Sequence, residues 1–388
     1  MSKAEYKRLG DYIREVNVRN RELKVTNLLG VSISKEFMPS IANTIGTDMS
    51  TYKIVERGQF AYGPVTSRNG DKVSIALLGG YDDAIISQAY TVFEVIDHEQ
   101  LLPEYLMMWF RRPEFDRYAR FHSHGSAREI FDWNELCDVM LPIPSITRQR
   151  EIVSEYETLT NRIRLNNQMI QYLEATAQAL YRKTFVENID KENLPEGWRM
   201  GTLGDICKCI SGYPFDGESY SEKIGIIALR GENVTEQSLR WNMVKRYNGD
   251  ITERINKYFL NAWDIVIGMD GSKVGKNWSF IFKNNLPLLL AQRVACLRTG
   301  AIEKQVFIYL TLRMEQFAEY VNRVNTGSTI LHISTSQIDE FPIPIPTNIQ
   351  FEKIRKEWVP MYKQICLNKQ ENDKLTELQS LLLAKMGQ

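Results

Sequence analysis

The sequence predicts an α+β protein in which two tandem, pseudo-equivalent domains are separated by a long antiparallel two-helix coiled coil. The main observation is an internal repeat: two segments recur at one offset of about 200 residues, and a looser match opens each copy. The repeated segments are Leu9-Gly10-Asp11 with Leu203-Gly204-Asp205, Gly125-Ser126 with Gly327-Ser328, and Pro142-Ile143-Pro144 with Pro344-Ile345-Pro346. A period of this length is too long for a solenoid and fits two whole domains. The second observation is a helical pattern that follows each Pro-Ile-Pro segment.

Each half is predicted to be a mixed globular domain followed by a long helix. Short apolar stretches between turn residues indicate strands in the first half, and a helical period replaces them between Pro103 and Phe121. The second half repeats this order, with a helix from about Lys304 to Val321. The pattern favours mostly antiparallel strand pairing. We therefore expect a first globular domain at 1–144, a first spacer helix at 145–190, a second globular domain at 191–346 and a second spacer helix at 347–388.

The strongest periodicity lies in the two predicted spacer helices, where the seam residues recur at alternating steps of four and three. Sustained over about four heptads, this spacing predicts a coiled-coil seam. The seam residues are Ile152, Tyr156, Leu159, Ile163, Asn166, Ile170, Leu173, Ala177 and Leu180 in the first helix, and Ile354, Trp358, Met361, Ile365, Asn368, Asn372, Leu375, Gln379, Leu382 and Met386 in the second. Asn166 and Asn368 occupy the same seam position, so they either pair and fix the register or are polar residues at the solvent edge. Pro360 lies inside the second helix and should kink it or leave one backbone carbonyl without a donor.

The first spacer helix, from about Thr147 to Val186, should be about 60 Å long. Because each helix follows its own domain, the second helix should run back along the first, with one domain at each end of the pair. Twofold protein symmetry matched to two separated half-sites is a known geometry of duplex DNA recognition. The architecture therefore predicts a protein that reads two short sequences with an unread gap between them.

Composition excludes several classes of protein. The chain has 388 residues and a formal net charge of zero, with Lys+Arg and Asp+Glu at 48 each, so it is not a uniformly basic protein that coats nucleic acid. Its five cysteines form an odd set without paired spacing, which fits reduced thiols better than a disulfide framework. No apolar run approaches the length of a bilayer span, and the first residues lack the apolar core of a signal peptide. We expect a cytoplasmic protein with no membrane partner.

The order of the repeated segments resembles the specificity subunit of type I restriction-modification enzymes. The resemblance rests on Leu-Gly-Asp, a variable domain, Gly-Ser, Pro-Ile-Pro and a coiled-coil helix, all of which occur twice between about Tyr6 and Met386. Each short motif is weak alone, whereas the duplicated order is specific. In the second half, three segments look like the target-recognition domains of that family: Ile227 to Asn233, Asp264 to Gly271, and Gln292 to Ala295.

The resemblance implies a non-catalytic, DNA-binding subunit of a restriction system. Each target-recognition domain would read one half of a bipartite double-stranded DNA target, while the helices set the gap. Two modification (methyltransferase) subunits would dock along the helices, and restriction/translocase subunits would join them in some complexes. DNA methylation at adenine, with S-adenosylmethionine as methyl donor, would belong to the partner, so no cofactor is expected in this chain.

The residues themselves provide no catalytic or metal-binding constellation. The glycine-rich segment from Gly268 to Asn277 fails the phosphate-loop pattern, because Asn277 stands where a hydroxyl must bind magnesium. The Asn-Pro-Pro-aromatic motif of methyltransferases is absent from the sequence. Cys207-Lys208-Cys209 and His122-Ser123-His124 could be imagined as metal ligands, but neither has a second matched pair. We therefore expect no catalytic residue and no metal site.

The candidates for DNA contact are mainly loop residues whose side chains can bind phosphates or base edges. In the first domain they are Arg68, Asn69, Lys72, Arg120, His122 and Arg128. In the second domain they are Arg230, Asn233, Ser272, Lys273, Lys276 and Arg323. For each of them, an ordinary solvated loop residue is the alternative interpretation.

Two other functions remain open at this point. A symmetric protein–protein adaptor, with a coiled-coil spacer and no DNA readout, is favoured by the neutral charge, whereas the polar and basic loops at matched positions favour DNA. An enzyme with a buried carboxylate site has little support, because the acidic pair Asp82-Asp83 is typical of a turn.

Overall fold

The computed structural model describes residues 5–40, 46–67, 69–70, 72–125, 128–187, 189–190, 192–325 and 331–387. The chain forms two compact units: unit 1 comprises Met1–Arg164 with Asn372–Gln388, and unit 2 comprises Leu165–Glu371. Each long helix therefore contributes one part to each unit. Strands and helices are mixed in both units, as the sequence predicts. The predicted bounds of the four segments stay predictions, since the two units divide within the long helices.

Unit 1 is built on a four-stranded antiparallel sheet with the order β2-β9-β6-β7. Its strands are β1 (Tyr6–Arg8), β2 (Ile13–Val16), β3 (Leu29–Val31), β4 (Phe37–Pro39), β5 (Lys53–Glu56), β6 (Phe60–Tyr62), β7 (Ile75–Leu77), β8 (Asp83–Ile86), β9 (Thr91–Val95) and β10 (Met140–Pro142). Its helices are α1 (Pro103–Phe110), α2 (Pro113–Phe121), α3 (Trp133–Cys137) and the first part of α4 (Ile146–Phe185). The first strand pairs with the last, so that Tyr6 lies opposite Pro142 immediately before α4 begins.

Unit 2 has the corresponding four-stranded sheet with the order β12-β21-β18-β19. The strands of the unit are β11 (Arg199–Thr202), β12 (Lys208–Ser211), β13 (Tyr220–Ser221), β14 (Ile226–Leu229), β15 (Val234–Thr235), β16 (Ser238–Leu239), β17 (Lys245–Tyr247), β18 (Ile265–Gly268), β19 (Trp278–Phe280), β20 (Leu288–Leu290), β21 (Val294–Arg298) and β22 (Pro342–Ile345). Its helices are α5 (Glu253–Asn256), α6 (Ile302–Leu312), α7 (Glu315–Val324), α8 (Thr335–Asp339) and most of α9 (Asn348–Lys385). A second sheet, β13-β17-β14-β20, belongs to this unit, and β14 and β20 run parallel.

The repeated sequence segments adopt the same local structure in both units. Leu9–Asp11 and Leu203–Asp205 are 3₁₀ turns whose leucines are fully buried. In both units the first strand pairs antiparallel with the strand that carries the start of Pro-Ile-Pro. Gly125 has a φ of +134°, and a Cβ there would lie 2.1 Å from the carbonyl oxygen of Arg128, so this position requires glycine. Ser126, Gly327 and Ser328 lie outside the described residues.

The shorter helices differ from the sequence prediction in one respect. The predicted helix at about Lys304 to Val321 is two helices, because Met314 is extended and buried between α6 and α7. The equivalent break in unit 1 precedes Pro113, whose ring favours an extended residue before it and a new helix after it.

No helix among the described residues is both long enough and apolar enough to span a bilayer.

The long helices pack against each other through the predicted seam, which is buried or half-buried throughout its described length. In unit 2, the indole Nε1 of Trp358 donates to the carbonyl oxygen of Ala177 at 3.0 Å. In unit 1, Gln379 Nε2 donates to the Thr160 hydroxyl at 2.7 Å. Within unit 2, later residues of α4 contact earlier residues of α9, so the two helices are antiparallel. Helix α9 runs through Pro360 without a break, although Pro360 supplies no backbone donor.

The two seam asparagines are buried, at 4% exposure for Asn166 and 5% for Asn368. Asn166 Nδ2 donates across the seam to Glu371 Oε2 at 3.0 Å, and the Asn368 oxygen accepts from Gln364 of its own helix at 2.8 Å. A buried amide that finds its partner in only one alignment of the helices favours that alignment. The register role therefore remains a prediction for both residues, with a cross-helix bond seen for Asn166.

A buried ion pair fixes the β3–β4 hairpin of unit 1 to the helices. Lys35, in the turn of the hairpin, is 5% exposed and has a left-handed φ of +65°. Its Nζ lies 2.7 Å from the carbonyl oxygen of Phe110 and 2.6 Å from Asp116 Oδ1, which also accepts from the amide of Val73 at 3.1 Å. Burial lowers the pKa of Lys35, while the charge of Asp116 acts in the opposite direction.

We expect Asp116→Ala to destabilise unit 1 by about 3–5 kcal/mol, because it leaves the Lys35 ammonium buried without its counter-charge. The double variant Lys35→Met with Asp116→Ala should recover part of this loss. The loss of stability in Asp116→Ala should become smaller between about pH 7 and about pH 10. A lysine whose pKa is lowered in the folded state makes stability rise with pH. Hydrogen exchange of peptides from α1 and α2 measures the opening free energy.

The matched control is Asp82→Ala, which removes an exposed ion pair with Arg57 and should cost at most about 1 kcal/mol. Equal losses in Asp116→Ala and in the double variant would contradict the proposed role of the pair.

Candidate nucleic-acid interface

Unit 1 presents a basic groove of about 690 Å³, which we call groove 1. It lies beside the β3–β4 turn and helix α2, with the buried Lys35–Asp116 pair at its base. The residues that line it are Ile33, Ser34, Lys35, Lys72, Arg111, Pro113, Asp116, Arg117, Arg120 and Phe121. Phe121 ends α2 with its side chain 82% exposed, next to these cations. An exposed aromatic ring among arginines suits a nucleic-acid surface, because bases stack on such rings.

Two of the six candidates of the first domain, Lys72 and Arg120, lie in groove 1. Arg120 Nη1 lies 2.7 Å from Glu129 Oε2, while Lys72 is exposed. The segment 117–121 lies within the helical period predicted between Pro103 and Phe121 and forms the last turns of α2. Its alternating aromatic and basic residues therefore occupy different faces of a helix, and Tyr118 faces the protein rather than groove 1.

Three other candidates of the first domain, Asn69, His122 and Arg128, do not line groove 1. His122 stacks on Tyr118 at 4.2 Å between ring centroids, and its Nδ1 lies 3.0 Å from Glu135 Oε2. Asn69 Nδ2 donates to the carbonyl oxygen of Val65 at 3.2 Å and so supports its own turn. Arg128 is exposed on the segment after α2. Arg68 lies outside the described residues.

Unit 2 presents a larger groove of about 840 Å³, which we call groove 2. It is formed by the turn after β14, the β15–β16 hairpin, the turn after β18 and the segment between β20 and β21. The residues that line it are Phe215, Tyr220, Arg230, Gly231, Glu232, Val234, Thr235, Glu236, Arg240, Asp270, Gly271, Ser272, Lys273, Asn277, Gln292 and Arg293. Of the sequence candidates, Arg230, Ser272 and Lys273 meet here.

Each of three cations in groove 2 has a carboxylate partner. Arg230 pairs with Glu232, and its guanidinium lies 5.8 Å from the ring centroid of Tyr220. Lys273 Nζ lies 3.0 Å from Glu236 Oε2. Arg293 Nε lies 3.3 Å from Asp270 Oδ2. The Lys273–Glu236 pair is exposed, and exposed pairs contribute about 0–1 kcal/mol each, so a phosphate can replace this carboxylate at little cost.

Asn233 is a buried organiser of the loop rather than a groove residue. Its side chain is fully buried, its oxygen accepts from the amide of Arg230 at 3.1 Å, and its Nδ2 donates to the carbonyl oxygens of Arg240 and Met243. Because its donors and acceptor are all engaged inside the protein, the Asn233 amide has no hydrogen-bonding group left to contact a base. The structure therefore does not support the expectation of a DNA contact by Asn233.

The two remaining candidates of the second domain are exposed but do not line groove 2. Lys276 follows Lys273 in the same turn, and its neighbour Gly275 has a φ of +86° and packs beneath Val321. Arg323 lies at the end of α7, close in sequence to the undescribed segment 326–330. The structure therefore does not assign Lys276 or Arg323 to either groove.

Several groove residues were absent from the sequence-based candidates. In groove 1 they are Arg111, Arg117 and Phe121, and in groove 2 they are Tyr220, Arg240, Asn277, Gln292 and Arg293. The sequence indicated Arg293 only as part of a family-like segment, because its left-handed φ of +71° cannot be predicted from the sequence pattern.

The cysteine and histidine pairs do not form a metal site in the part of the chain that is described. No cluster of three or more His, Cys, Asp or Glu side chains suited to a metal occurs among those residues. Burial raises the pKa of Cys207 to about 12, which disfavours the thiolate that a metal would bind. His122 and His124 both approach one carboxylate, Glu135, at 3.0 and 3.5 Å.

Comparison with known proteins identifies the fold and one domain of the chain. The family model for the type I restriction modification DNA specificity domain matches residues 195–378. The crystal structure of a type I restriction-modification S subunit from M. genitalium superimposes with a TM-score of 0.62 at 14% identity, covering 100% of this chain and 97% of that one. At this identity the likeness establishes the fold alone.

Two relatives illustrate the range of sequence similarity. The EcoAI specificity subunit of Escherichia coli is 30% identical over 165 residues, which are 42% of this chain and 28% of that protein. The HindI specificity subunit of Haemophilus influenzae is 19% identical over an alignment of 461 positions, which covers 97% of each chain. The match thus spans under a third of the Escherichia coli relative and nearly all of the Haemophilus one. These matches show a type I restriction modification DNA specificity domain at residues 195–378 and, over the whole chain, the fold of a type I restriction-modification S subunit.

Proposed function

We propose that this chain recognises a bipartite sequence on double-stranded DNA, with one half read by each unit, as the specificity subunit of a type I restriction-modification complex. The observation that carries the proposal is that two units of one topology each present a groove lined by cations. The grooves are formed by different elements and different residues. That difference is what two domains with unlike target sequences require.

The neutral net charge is compatible with this function because the positive charge is concentrated locally. Groove 1 is lined by five lysine or arginine side chains and one carboxylate, and groove 2 by four such cations and three carboxylates. Phosphate contacts with the exposed members of these sets position a duplex, while base-edge contacts provide the sequence readout. If the chain fails to bind DNA, a symmetric protein–protein adaptor becomes the favoured function.

We further propose that the long helices set the gap between the half-sites and dock two methyltransferase subunits. Apolar side chains that the seam leaves exposed support docking. On α9 within unit 1, Leu378 and Leu381 are 48% and 59% exposed, and on α4 within unit 2, Met169 and Tyr172 are 49% and 71% exposed. A row of such residues on a helix is typical of a surface that a partner covers. In this proposal the partner binds S-adenosylmethionine and transfers the methyl group to adenine, and this chain is not catalytic.

The proposal predicts a split methylation motif in the genome of the cell. Methylation mapping of cells with and without this gene should show one motif of two short sequences around an unspecified gap, and the motif should be lost with the gene. Replacing residues 6–141 with those of another family member should change one half of the motif and leave the other half intact. A motif without a gap, or a change in both halves, would contradict the assignment of one half to each unit.

The pairing of Lys273 with Glu236 predicts opposite effects of two substitutions in groove 2. In the complex with its methyltransferase subunits, Lys273→Ala should weaken binding to duplexes of any sequence, and the loss should shrink between about 50 and 200 mM salt as the salt slope falls by about 1. Glu236→Gln should tighten binding by up to about fivefold at low salt, because it removes a competing carboxylate. Fluorescence anisotropy with a random-sequence duplex measures both. Losses of equal size at every salt concentration would argue against a phosphate contact.

A further inference from the structure

Arg293 differs from the other cations of groove 2 in how its backbone is held. It has a left-handed φ of +71°, which costs a non-glycine residue free energy that the surrounding structure must offset. Its carbonyl oxygen accepts from the amide of Met269 at 3.0 Å, and the following residue, Val294, accepts from the amide of Gly212 at 3.0 Å. The residue therefore lies in a short, fixed connection between β20 and β21. Strained but fixed positions of this kind are concentrated at functional sites.

The side chain of Arg293 is also held, through a chain of two further residues. Its Nε lies 3.3 Å from Asp270 Oδ2, and the other oxygen of Asp270 lies 2.5 Å from His332 Nδ1. Asp270 and His332 are themselves opposed in a backbone bridge. The carboxylate of Asp270 is thus fixed on one side by the imidazole and engages the guanidinium on the other. Arg293 nevertheless remains 56% exposed and lines groove 2.

A guanidinium held at Nε keeps its two Nη groups as a planar fork of parallel donors. The major-groove edge of guanine presents two acceptors, N7 and O6, at the spacing that such a fork matches, and no other base presents that pair. A flexible lysine, such as Lys273 on its exposed turn, acts on a phosphate as a point charge and carries no such geometric information. Prior fixing of the fork reduces the conformational entropy lost on contact.

We propose that Arg293 reads a guanine in the half-site bound by unit 2, with Asp270 as the positioning residue that orients its guanidinium and His332 as the support of Asp270. This inference rests on the proposed DNA-recognition function and extends it to one base and one side chain. It requires at least one G·C pair in that half-site.

Methylation mapping of cells that carry Arg293→Lys tests the inference. The lysine keeps the charge and removes the fork, so one position of one half-site should lose its requirement for guanine by roughly ten- to hundredfold. The other half-site should be unchanged. Asp270→Asn should relax the same position, which a purely structural loss of stability would not do. Lys257→Ala, at an exposed position outside groove 2, is the matched control and should leave the motif as it is.

A chemical substitution in the DNA makes the test specific for the predicted contact. For the purified complex and a duplex that carries the motif, 7-deazaguanine at the relaxed position removes N7 and should weaken binding by about tenfold with the unaltered protein. The same duplex should cause no further loss with Arg293→Ala, because the partner of N7 is already missing. Additive losses would overturn the assignment, even if the complex binds its motif normally.

The remaining outcomes separate this inference from the proposed function. If the unaltered chain directs no split motif, the proposed function fails. If the split motif is present but Arg293→Lys preserves every position, or if the half-site of unit 2 contains no G·C pair, only the assignment of Arg293 fails. A uniform loss of affinity for all sequences with a smaller salt slope would identify Arg293 as a phosphate contact and would also overturn it.

Discussion

The structure depends on the burial of both long helices in the core of each unit. In unit 2, Tyr362 of α9 packs edge-on against Tyr309, which itself stacks on Phe280 of the sheet at 3.9 Å between ring centroids. In unit 1, Tyr156 of α4 and Met386 at the end of α9 belong to the same apolar core as the sheet and α1. Removing either helix would expose these aromatic and aliphatic surfaces to water, at about 25 cal/mol for each Å² of apolar surface. The helices are therefore structural parts of both domains, and a connection that only spaces the domains would not need such burial.

Pairing three of the four cations of groove 2 with carboxylates reconciles a neutral chain with a polyanionic ligand. Unpaired arginines would attract any nucleic acid and would increase non-specific binding. A carboxylate beside each of Arg230, Lys273 and Arg293 lowers that attraction, and the exposed Glu236 costs little to replace when Lys273 contacts a phosphate. Groove 1 has fewer carboxylates along its walls, so the two grooves should differ in the balance between phosphate and base contacts.

Sequence reasoning predicted the features that depend on repetition and periodicity. The seam residues, the antiparallel helix pair and the two-unit fold all follow from patterns that recur along the chain. Gln149 shows what such patterns cannot provide. It is fully buried at the start of α4, where it accepts from the amide of Leu102 and donates to the carbonyl oxygens of Gln100 and Pro144. A lone glutamine in a charged stretch gives no indication of burial, because its partners are brought close only by tertiary folding.

The candidate site was predicted less well, for a physical reason that Asn233 and Arg293 illustrate. Both lie in segments that look like target-recognition domains, but Asn233 turns inward to organise a loop while Arg293 lines the groove. Residue type gives the same expectation for both, since each can form paired hydrogen bonds with a base edge. The direction of a loop side chain is decided by backbone conformation, here a left-handed φ at Arg293 and a tight turn at Asn233. Rigid presentation of a donor fork and flexible presentation of a charge are different tasks, and only the three-dimensional structure distinguishes the residues that perform them.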